Sequence, residues 1–448
     1  MSRPGDGSAV FRSIPPPDAW DVLLRATIVV GLALLLYLCI SGRAFAVLLA
    51  TADRHGLSAL LVKPSVMWLS MGTALLAFRT LLWFRYRPQP MVSMRDAPSM
   101  TVVIPAYNEG PMVGRSIDSV IAARYPADRL EVIVVDDGST DDTWRHIAHA
   151  VARHGDRVTA LRLAANRGKR EALAAAFRQA KGEILVTLDS DSVIETNALL
   201  ALAGPFRDAR VGAVAGRVVV YNRSEGIIPR MLHVRFVLAF DFLRAYQSVC
   251  RTVYCTPGAL SAYRAQAVER VLDAWLRQRF FTIPSTYGED RALTNFILDL
   301  GFDTVYQRSA SVSTIVPTTY GKLCRMYIRW ERSFIREELR LARIAWKRPP
   351  ASRLFVLVDS TITNLRYPVM YLALGLLCVA VIDDPSSLLR LLFAIGTTSV
   401  LYSLYFLRSE RSSGILYGIL YSYFAFFTLF WIFPFALATV RARGWLTR

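Results

Sequence analysis

The sequence predicts an α/β domain with a mostly parallel sheet, inserted between α-helical transmembrane segments and accompanied by amphipathic interface helices. Hydrophobic residues make up 53% of the 448 residues while charged residues still reach 20%, which suits a soluble domain joined to membrane helices. Residues 20–40 and 57–84 are apolar runs, each long enough to cross a hydrocarbon core of about 30 Å. After them, short β-branched runs alternate with helical stretches, as in βαβ units.

Composition divides the chain into six segments. We expect a polar N-terminal segment at 1–19, two transmembrane helices at 20–84, the α/β domain at 96–316, an amphipathic interface helix at 317–350, C-terminal transmembrane and interface helices at 351–440, and a basic tail at 441–448. Arg85 and Arg87 follow the second apolar run, so the positive-inside rule places the α/β domain in the cytoplasm. The sequence therefore predicts an integral protein of the plasma (inner) membrane, with membrane lipids as partners.

The number of C-terminal crossings stays open at this point. Three apolar runs follow the interface helix, whereas a basic tail on the cytoplasmic side requires an even number of crossings. Either the last run contains a re-entrant or interfacial piece, or the run at 354–382 crosses twice.

The formal net charge of +18 fits either a nucleic-acid ligand or an anionic membrane surface. Basic residues gather beside the apolar runs, as at Arg85 and Arg441, and form no recognisable nucleic-acid reader motif. We therefore expect a membrane surface as the partner and no nucleic acid. The five cysteines are scattered without a Cys-x-x-Cys pair, so neither a disulfide framework nor a zinc site is indicated.

Three predicted strands each end in polar residues. The runs and the residues that follow them are 101–104 with 106–109, 131–135 with 136–139, and 184–188 with 189–191. Because ligands bind beyond the carboxyl ends of parallel strands, we expect these residues to converge on one crevice. Asp189 and Asp191 could hold Mg²⁺ or Mn²⁺ against a diphosphate, although a lone pair of this kind also occurs in caps and solvated loops.

Several motifs occur in the order found in processive family-2 glycosyltransferases. They are Ala106-Tyr107-Asn108-Glu109, Val135-Asp136-Asp137-Gly138-Ser139, Asn166-Arg167-Gly168-Lys169-Arg170, Asp189-Ser190-Asp191, Gly288-Glu289-Asp290-Arg291 and Arg329-Trp330. From about residue 20 onward the chain resembles hyaluronan synthases and the related chitin-oligosaccharide and cellulose synthases. The resemblance implies a GT-A-like domain and a membrane-embedded, processive, inverting β-glycosyltransferase. Such an enzyme polymerises UDP-sugars at the cytoplasmic face and translocates the growing polysaccharide.

The resemblance also implies roles for individual residues. Nucleotide binding falls to Ala106, Tyr107, Glu109, Asp137, Lys169, Asp189, Arg329 and Arg448, metal binding to Asp191 and Asp189, catalysis to Asp290 with Glu289 and Arg291, and acceptor binding to Trp330, Cys255 and Met326. Asp290 would be the general base that takes the proton of the acceptor hydroxyl. Mg²⁺ or Mn²⁺ would offset the charge that develops on the leaving UDP.

Each of these roles has a plainer alternative. Asp136-Asp137-Gly138-Ser139 also suits a turn followed by a helix N-cap, and Asp290 suits the N-cap of the helix after it. Trp330 could anchor an amphipathic helix in the membrane interface. Arg448 could answer the dipole of a last helical turn.

Three departures from the family pattern bear on the sugar and the acceptor. Met326 stands where the family's Gln-x-x-Arg-Trp motif has Gln, Cys255-Thr256-Pro257-Gly258 where hyaluronan synthases have Cys-Ser-Gly-Pro, and Leu446 where the tail motif has Gly. Hyaluronan synthesis from UDP-GlcNAc and UDP-glucuronate is the leading interpretation. The alternatives are a chitin-oligosaccharide or other single-sugar β-glycan synthase, a lipid-phosphate-directed glycosyltransferase, and a transporter or binding protein with a degenerate transferase domain.

Overall fold

The computed structural model describes residues 19–40 and 56–442. An eight-stranded sheet with the order β3-β2-β1-β4-β7-β6-β10-β5 forms the centre of the α/β domain, and β8 and β9 form a separate hairpin. The strands are β1 Met100–Ala106, β2 Leu130–Asp136, β3 Val158–Arg162, β4 Ile184–Leu188, β5 Ser192–Ile194, β6 Val211–Val220, β7 Leu260–Arg264, β8 Arg279–Phe280, β9 Ile283–Pro284 and β10 Asp303–Thr314.

The central strands lie side by side in parallel. β1 pairs with β2, where Ala106 lies opposite Asp136, and with β4, where Val103 lies opposite Thr187. The tips of the three strands that the sequence singles out are therefore neighbours at one edge of the sheet. β7 enters antiparallel between β4 and β6, and β5 pairs antiparallel with β10. The predicted fold class, a mostly parallel sheet between helical segments, is confirmed.

Helices cover both faces of the sheet and both ends of the chain. They are α1 Ala19–Ile40, α2 Gly56–Arg85, α3 Met112–Ile121, α4 Thr143–His154, α5 Lys169–Phe177, α6 Ala198–Ala203, α7 Ile227–Val237, α8 Ala245–Val249, α9 Ala265–Leu276, α10 Glu289–Asp299, α11 Tyr320–Ala345, α12 Pro350–Asp383, α13 Ser386–Glu410, α14 Ile415–Thr428 and α15 Ile432–Ala438. Alternate residues of β1 enter different cores: Val102 packs in one and Val103 in the other. Burial on both faces explains why these strands read as continuous apolar runs.

Several of the terminal helices are apolar, and some of them are candidate membrane spans. Within the described residues, Ala19–Tyr37 and Leu391–Glu410 are long and apolar enough to cross a bilayer. A third span results if Ile415–Thr428 and Ile432–Ala438, which are bent by 49°, count as one. The last apolar run of the sequence is therefore interrupted between α14 and α15. The run at 354–382, in contrast, lies within α12, which is a single helix of 34 residues.

Helix α11 lies where the sequence predicts the interface helix, and it packs against both the α/β domain and α15. Leu323 and Met326, on the apolar side of this helix, are buried, whereas Trp330 is exposed. Three charged residues of the helix are also buried, namely Arg332, Arg336 and Glu337. Their polar partners come from the α/β domain and from the end of α15, so α11 joins the two parts of the molecule.

Candidate active site

Asp136 and Asp137, at the tip of β2, have different structural roles. Asp136 Oδ1 accepts a hydrogen bond from the backbone N–H of Ser139 at 3.0 Å, which is the turn role expected as an alternative. The carboxylate of Asp137 instead accepts the N–H groups of Arg167 at 2.8 Å and Gly168 at 2.9 Å. Burial raises the pKa of Asp137 despite these two donors. Asp137 thereby holds the loop that leads into α5 beside the sheet edge.

Gly138 is required for this close approach. Its φ is +70°, and a Cβ at this position would lie 2.5 Å from the backbone carbon of Ala165. A side chain would therefore push the loop before α5 away from the tip of β2.

Lys169, the first residue of α5, links the strand tips to the predicted catalytic segment. Its ammonium contacts Asp189 Oδ1 and lies 3.2 Å from Glu289 Oε1. Burial would lower the pKa of Lys169, but the charges of Asp189 and Glu289 outweigh it and raise the pKa. Likewise, burial would raise the pKa of Glu289, but Lys169 and Arg329 lower it. Lys169 and Glu289 are therefore both held in their charged forms.

The two carboxylates at the tip of β4 lie close enough for their charges to interact. Asp191 Oδ1 accepts hydrogen bonds from Thr314 Oγ1 at 3.1 Å and Ser192 Oγ at 3.2 Å. Burial, together with the negative charges of Asp189 and Glu109, raises the pKa of Asp191 to about 7. This concentration of negative charge favours a cation. Among the described residues no group of three or more His, Cys, Asp and Glu side chains forms a complete metal site, so ligand oxygens would have to complete the shell.

Asp290 lies in the first turn of α10 in a buried, polar corner. Its Oδ1 accepts the N–H of Arg291 at 2.7 Å, and its Oδ2 accepts the N–H of Gly258 at 3.2 Å. Burial and the negative charge of Glu289 raise the pKa of Asp290, which makes it a stronger base than an ordinary aspartate. The N-cap of α10 is Gly288 and Asp290 lies inside the first turn, so the alternative in which Asp290 is the N-cap is wrong.

Helix α11 fixes the segment that carries Asp290. Gly288 has a φ of +76°, and a Cβ there would lie 2.0 Å from Ser333 Oγ. Arg336 donates to the carbonyl of Tyr287 at 2.8 Å, and Arg291 forms an ion pair with Glu338. The interface helix thus contacts the residues on both sides of the predicted base.

The predicted acceptor residues lie at different depths. Trp330 is 42% exposed, and its ring lies 6.1 Å from that of Phe236. Cys255 is half-buried, with its Sγ 3.8 Å from Asp290 Oδ2. Met326 is 6% exposed and belongs to the main hydrophobic core. Trp330 and Cys255 can therefore meet a ligand, whereas Met326 is packed in the hydrophobic core.

The remaining predicted residues lie around the donor crevice. The carbonyl of Ala106 accepts the N–H of Asp137 at 2.9 Å, and Tyr107 and Glu109 follow it half-buried. Arg329 lies close enough to Glu289 to lower its pKa. Arg448 lies outside the described residues.

Two residues of the site lie in no motif that the sequence offered. Thr314 binds Asp191 from the end of β10, and Ser333 packs on Gly288. Gly258 belongs to a segment that departs from the family pattern, but its hydrogen bond to Asp290 was not predicted. For Ser333 the signal in the sequence is that it lies near Trp330.

Comparison with known proteins agrees with this geometry. Residues 101–272 match the family described as Glycosyl transferase family 2. An N-acetylglucosaminyltransferase of Mesorhizobium japonicum is 36% identical over 242 residues, which cover 54% of this chain and 57% of that protein. A hyaluronan synthase of Streptococcus pyogenes is also 36% identical, over 54% of this chain and 58% of its own length. The match thus spans somewhat more than half the length of these relatives.

The fold also matches a solved structure. The mannosyltransferase PcManGT from Pyrobaculum calidifontis, solved in complex with GDP-Man and Mn²⁺, superposes with a TM-score of 0.57 at 23% identity. The match covers 80% of this chain and 98% of that one. Residues 101–272 therefore form a domain that matches glycosyltransferase family 2, and the described chain has a GT-A-like fold with apolar helices on both sides of this domain.

Proposed function

We propose that this chain is a membrane-embedded, inverting β-glycosyltransferase that transfers N-acetylglucosamine from UDP-GlcNAc to the end of a growing glycan. The observation that carries the proposal is the Lys169 bridge: its ammonium contacts Asp189, a proposed donor-binding carboxylate, and lies 3.2 Å from Glu289, the neighbour of the proposed base Asp290. The names of the relatives support N-acetylglucosamine as the sugar.

In this mechanism the oxygen of an acceptor hydroxyl attacks the anomeric carbon while Asp290 takes the hydroxyl proton. The bond from the anomeric carbon to the diphosphate breaks on the opposite side, so an α-linked donor gives a β-linked product and UDP leaves. Lys169 lies within reach of both reaction partners and can neutralise the leaving diphosphate as a point charge. Trp330 offers its exposed ring as a platform for the acceptor sugar.

Asp191 and Asp189 have the donor set for a hard divalent cation. The two carboxylates are separated by one residue, and burial together with the negative charges of Asp189 and Glu109 raises the pKa of Asp191, which supports a cation beside it. A bound Mg²⁺ or Mn²⁺ would supply Lewis-acid stabilisation of the diphosphate. Complex formation with Mn²⁺ in the related fold supports this assignment.

We place the α/β domain on the cytoplasmic side of the inner membrane, because Arg85 and Arg87 follow α2 directly. In that orientation the enzyme reaches cytoplasmic UDP-sugars, and the growing polysaccharide leaves processively through its own membrane helices. Protease digestion of sealed inverted and right-side-out vesicles tests the orientation, since the α/β domain should be cleaved in the inverted ones alone.

A second candidate is hyaluronan synthesis, which the equal identity to a hyaluronan synthase favours. Membranes containing the protein should be incubated with labelled UDP-GlcNAc, with labelled UDP-glucuronate, and with both. Polymer from UDP-GlcNAc alone supports the proposal, while a requirement for both donors replaces it with hyaluronan synthesis. Label appearing on a lipid phosphate, with no polymer, would instead show a lipid-directed transferase.

The metal assignment predicts that turnover stops in excess chelator. Activity should return on adding Mg²⁺ or Mn²⁺ to the wild-type protein, and Asp191→Asn should need a higher metal concentration for half-maximal recovery. UDP release measured across a metal titration checks this. Undiminished turnover in chelator would remove the metal role from both carboxylates.

A further inference from the structure

Asp359 is a buried carboxylate in α12, one of the helices that the sequence predicts to cross the membrane. Its Oδ1 accepts a hydrogen bond from Arg79 Nε of α2 at 2.7 Å, and its Oδ2 accepts one from the hydroxyl of Tyr254 at 2.9 Å. Arg79 also donates to Thr363 Oγ1 at 2.5 Å. An ionised side chain in such a helix is costly unless it is paired, and is often functional.

Tyr254 connects this ion pair to the predicted base Asp290 through the chain segment that follows it. It begins the segment Tyr254–Gly258, in which Cys255 Sγ lies 3.8 Å from Asp290 Oδ2 and Gly258 donates its N–H to the same oxygen at 3.2 Å. The segment therefore forms one wall of the space around Asp290. Its beginning is held by Asp359 from the helix pair α2–α12.

The middle of the segment is held by α10. Thr256 donates its N–H to Thr294 Oγ1 at 3.0 Å, and Thr294 Oγ1 donates to the carbonyl of Asp290 at 2.8 Å. The wall and the base are thus tied to each other. If Tyr254 moved while Thr256 stayed bound to α10, the backbone between them would change its conformation beside Asp290.

We propose that Asp359 and Tyr254 are positioning residues for glycosyl transfer, which set the acceptor side of Asp290 through the Tyr254–Gly258 segment. The inference rests on the proposed glycosyltransferase function. The inference gives the α2–α12 helix pair a role in catalysis. A change in the distance between these helices would move the Tyr254–Gly258 segment, and with it the acceptor hydroxyl relative to Asp290.

Tyr254→Phe tests the proposal with little change in shape, since it removes the hydroxyl that donates to Asp359 Oδ2. Tyr405→Phe is the matched control. The hydroxyl of Tyr405 makes a buried hydrogen bond with Thr80 Oγ1 at 2.7 Å, next to Arg79 in α2, but it has no link to the segment around Asp290. Asp359→Asn is a second variant, which removes the charge and keeps the size.

The first measurement is the alkylation rate of Cys255 by N-ethylmaleimide in the purified full-length protein, resolved by peptide mass spectrometry. Burial and the nearby Asp290 raise the pKa of Cys255 to about 12, so its thiol should react slowly in the intact site. Tyr254→Phe and Asp359→Asn should each raise this rate roughly tenfold, as expected for loss of a hydrogen bond to a charged group. The buried Cys324 reports any general loosening of the fold.

The second measurement separates acceptor from donor. With UDP-GlcNAc as donor and free N-acetylglucosamine as acceptor, Tyr254→Phe should raise the acceptor KM and lower kcat while the Kd for UDP stays unchanged. Tyr405→Phe should leave all three constants within about twofold of wild type.

Equal Cys255 alkylation in Tyr254→Phe, Tyr405→Phe and wild type would overturn the proposal, as would a parallel rise at Cys324. The alkylation result does not depend on turnover. If the wild-type protein fails to use UDP-GlcNAc, the proposed function fails, yet the Cys255 comparison still decides whether Asp359 and Tyr254 position the wall beside Asp290.

Discussion

The proposed donor half and the proposed acceptor half of the site are built in different ways. On the donor side, Asp137, Asp189 and Asp191 follow directly from buried strands, and the pairing of β2, β1 and β4 sets their spacing. On the acceptor side, Asp290 heads a helix whose position depends on Gly258 and on Ser333. One half is thus positioned by a rigid sheet, and the other by contacts between segments distant in the chain.

This difference has a consequence for function. A sheet edge keeps its geometry when one side chain changes, whereas a base held by packing from α11 moves when that packing changes. Variants on the acceptor side should therefore lose transfer while they keep donor binding. The predictions below test this separation.

The largest effect is expected from Asp290→Asn. An amide cannot accept the acceptor proton, so transfer should fall by about a thousandfold, while the Kd for UDP stays unchanged because the donor tips are untouched. Sugar transfer and UDP binding by calorimetry check the two halves separately. Asp299→Asn, in the last turn of the same helix, is the control that should retain activity. Persistent transfer in Asp290→Asn would remove the base role.

Gly288→Ala should displace the base without removing it. The new Cβ would lie 2.0 Å from Ser333 Oγ, so α10 must move relative to α11, and a shift of about 1 Å can reduce transfer roughly a hundredfold. Gly301→Ala is a close control, because Gly301 also has a positive φ, of +92°, but faces open space. If both variants lost transfer activity equally, backbone strain would explain the loss and the contact with α11 would not.

The sequence predicts the proposed donor half well, because the residues that define each strand tip are neighbours in the chain. A buried apolar run followed by carboxylates is enough to place Asp189 and Asp191 at a strand tip, and parallel pairing brings in Asp137. Thr314 was not predicted, because it reaches Asp191 only after β10 pairs with β5. Local periodicity carries no information about such pairings between distant strands.

The acceptor half depends on long-range packing throughout. The amphipathic pattern of α11 predicts its apolar stripe, but a solvated face would be equally compatible with Arg336 and Glu337. Their burial follows from partners in α10 and before it: Asn295 donates to Glu337, and Tyr287 supplies a carbonyl to Arg336. Polar residues buried by such partners look like surface residues in the sequence.

The pH dependence of transfer should reflect the environment of Asp290. Since burial and Glu289 raise the pKa of Asp290, kcat/KM should fall on acidification at a higher pH than an ordinary aspartate would give. Glu289→Gln removes a nearby negative charge and therefore lowers the pKa of Asp290, so the acid limb should move to lower pH. Glu338→Gln, which removes the partner of Arg291, should leave the limb in place. A limb that stays fixed in Glu289→Gln would show that another group controls it.

The smallest effect on transfer is expected from Met326→Gln, which restores the amide of the family motif. Met326 is 6% exposed in the hydrophobic core, so the new amide would be buried behind Trp330 and not in contact with the acceptor. We expect product length to change little, and the free energy of unfolding to fall by about 1–3 kcal/mol if the amide finds no partner. Met326→Leu, which keeps the volume, controls for the loss of the thioether. Product length by gel electrophoresis, with thermal unfolding, distinguishes the outcomes. A large gain in length would mean that α11 can turn residue 326 toward the acceptor, and that the acceptor half is as mobile as its reliance on packing implies.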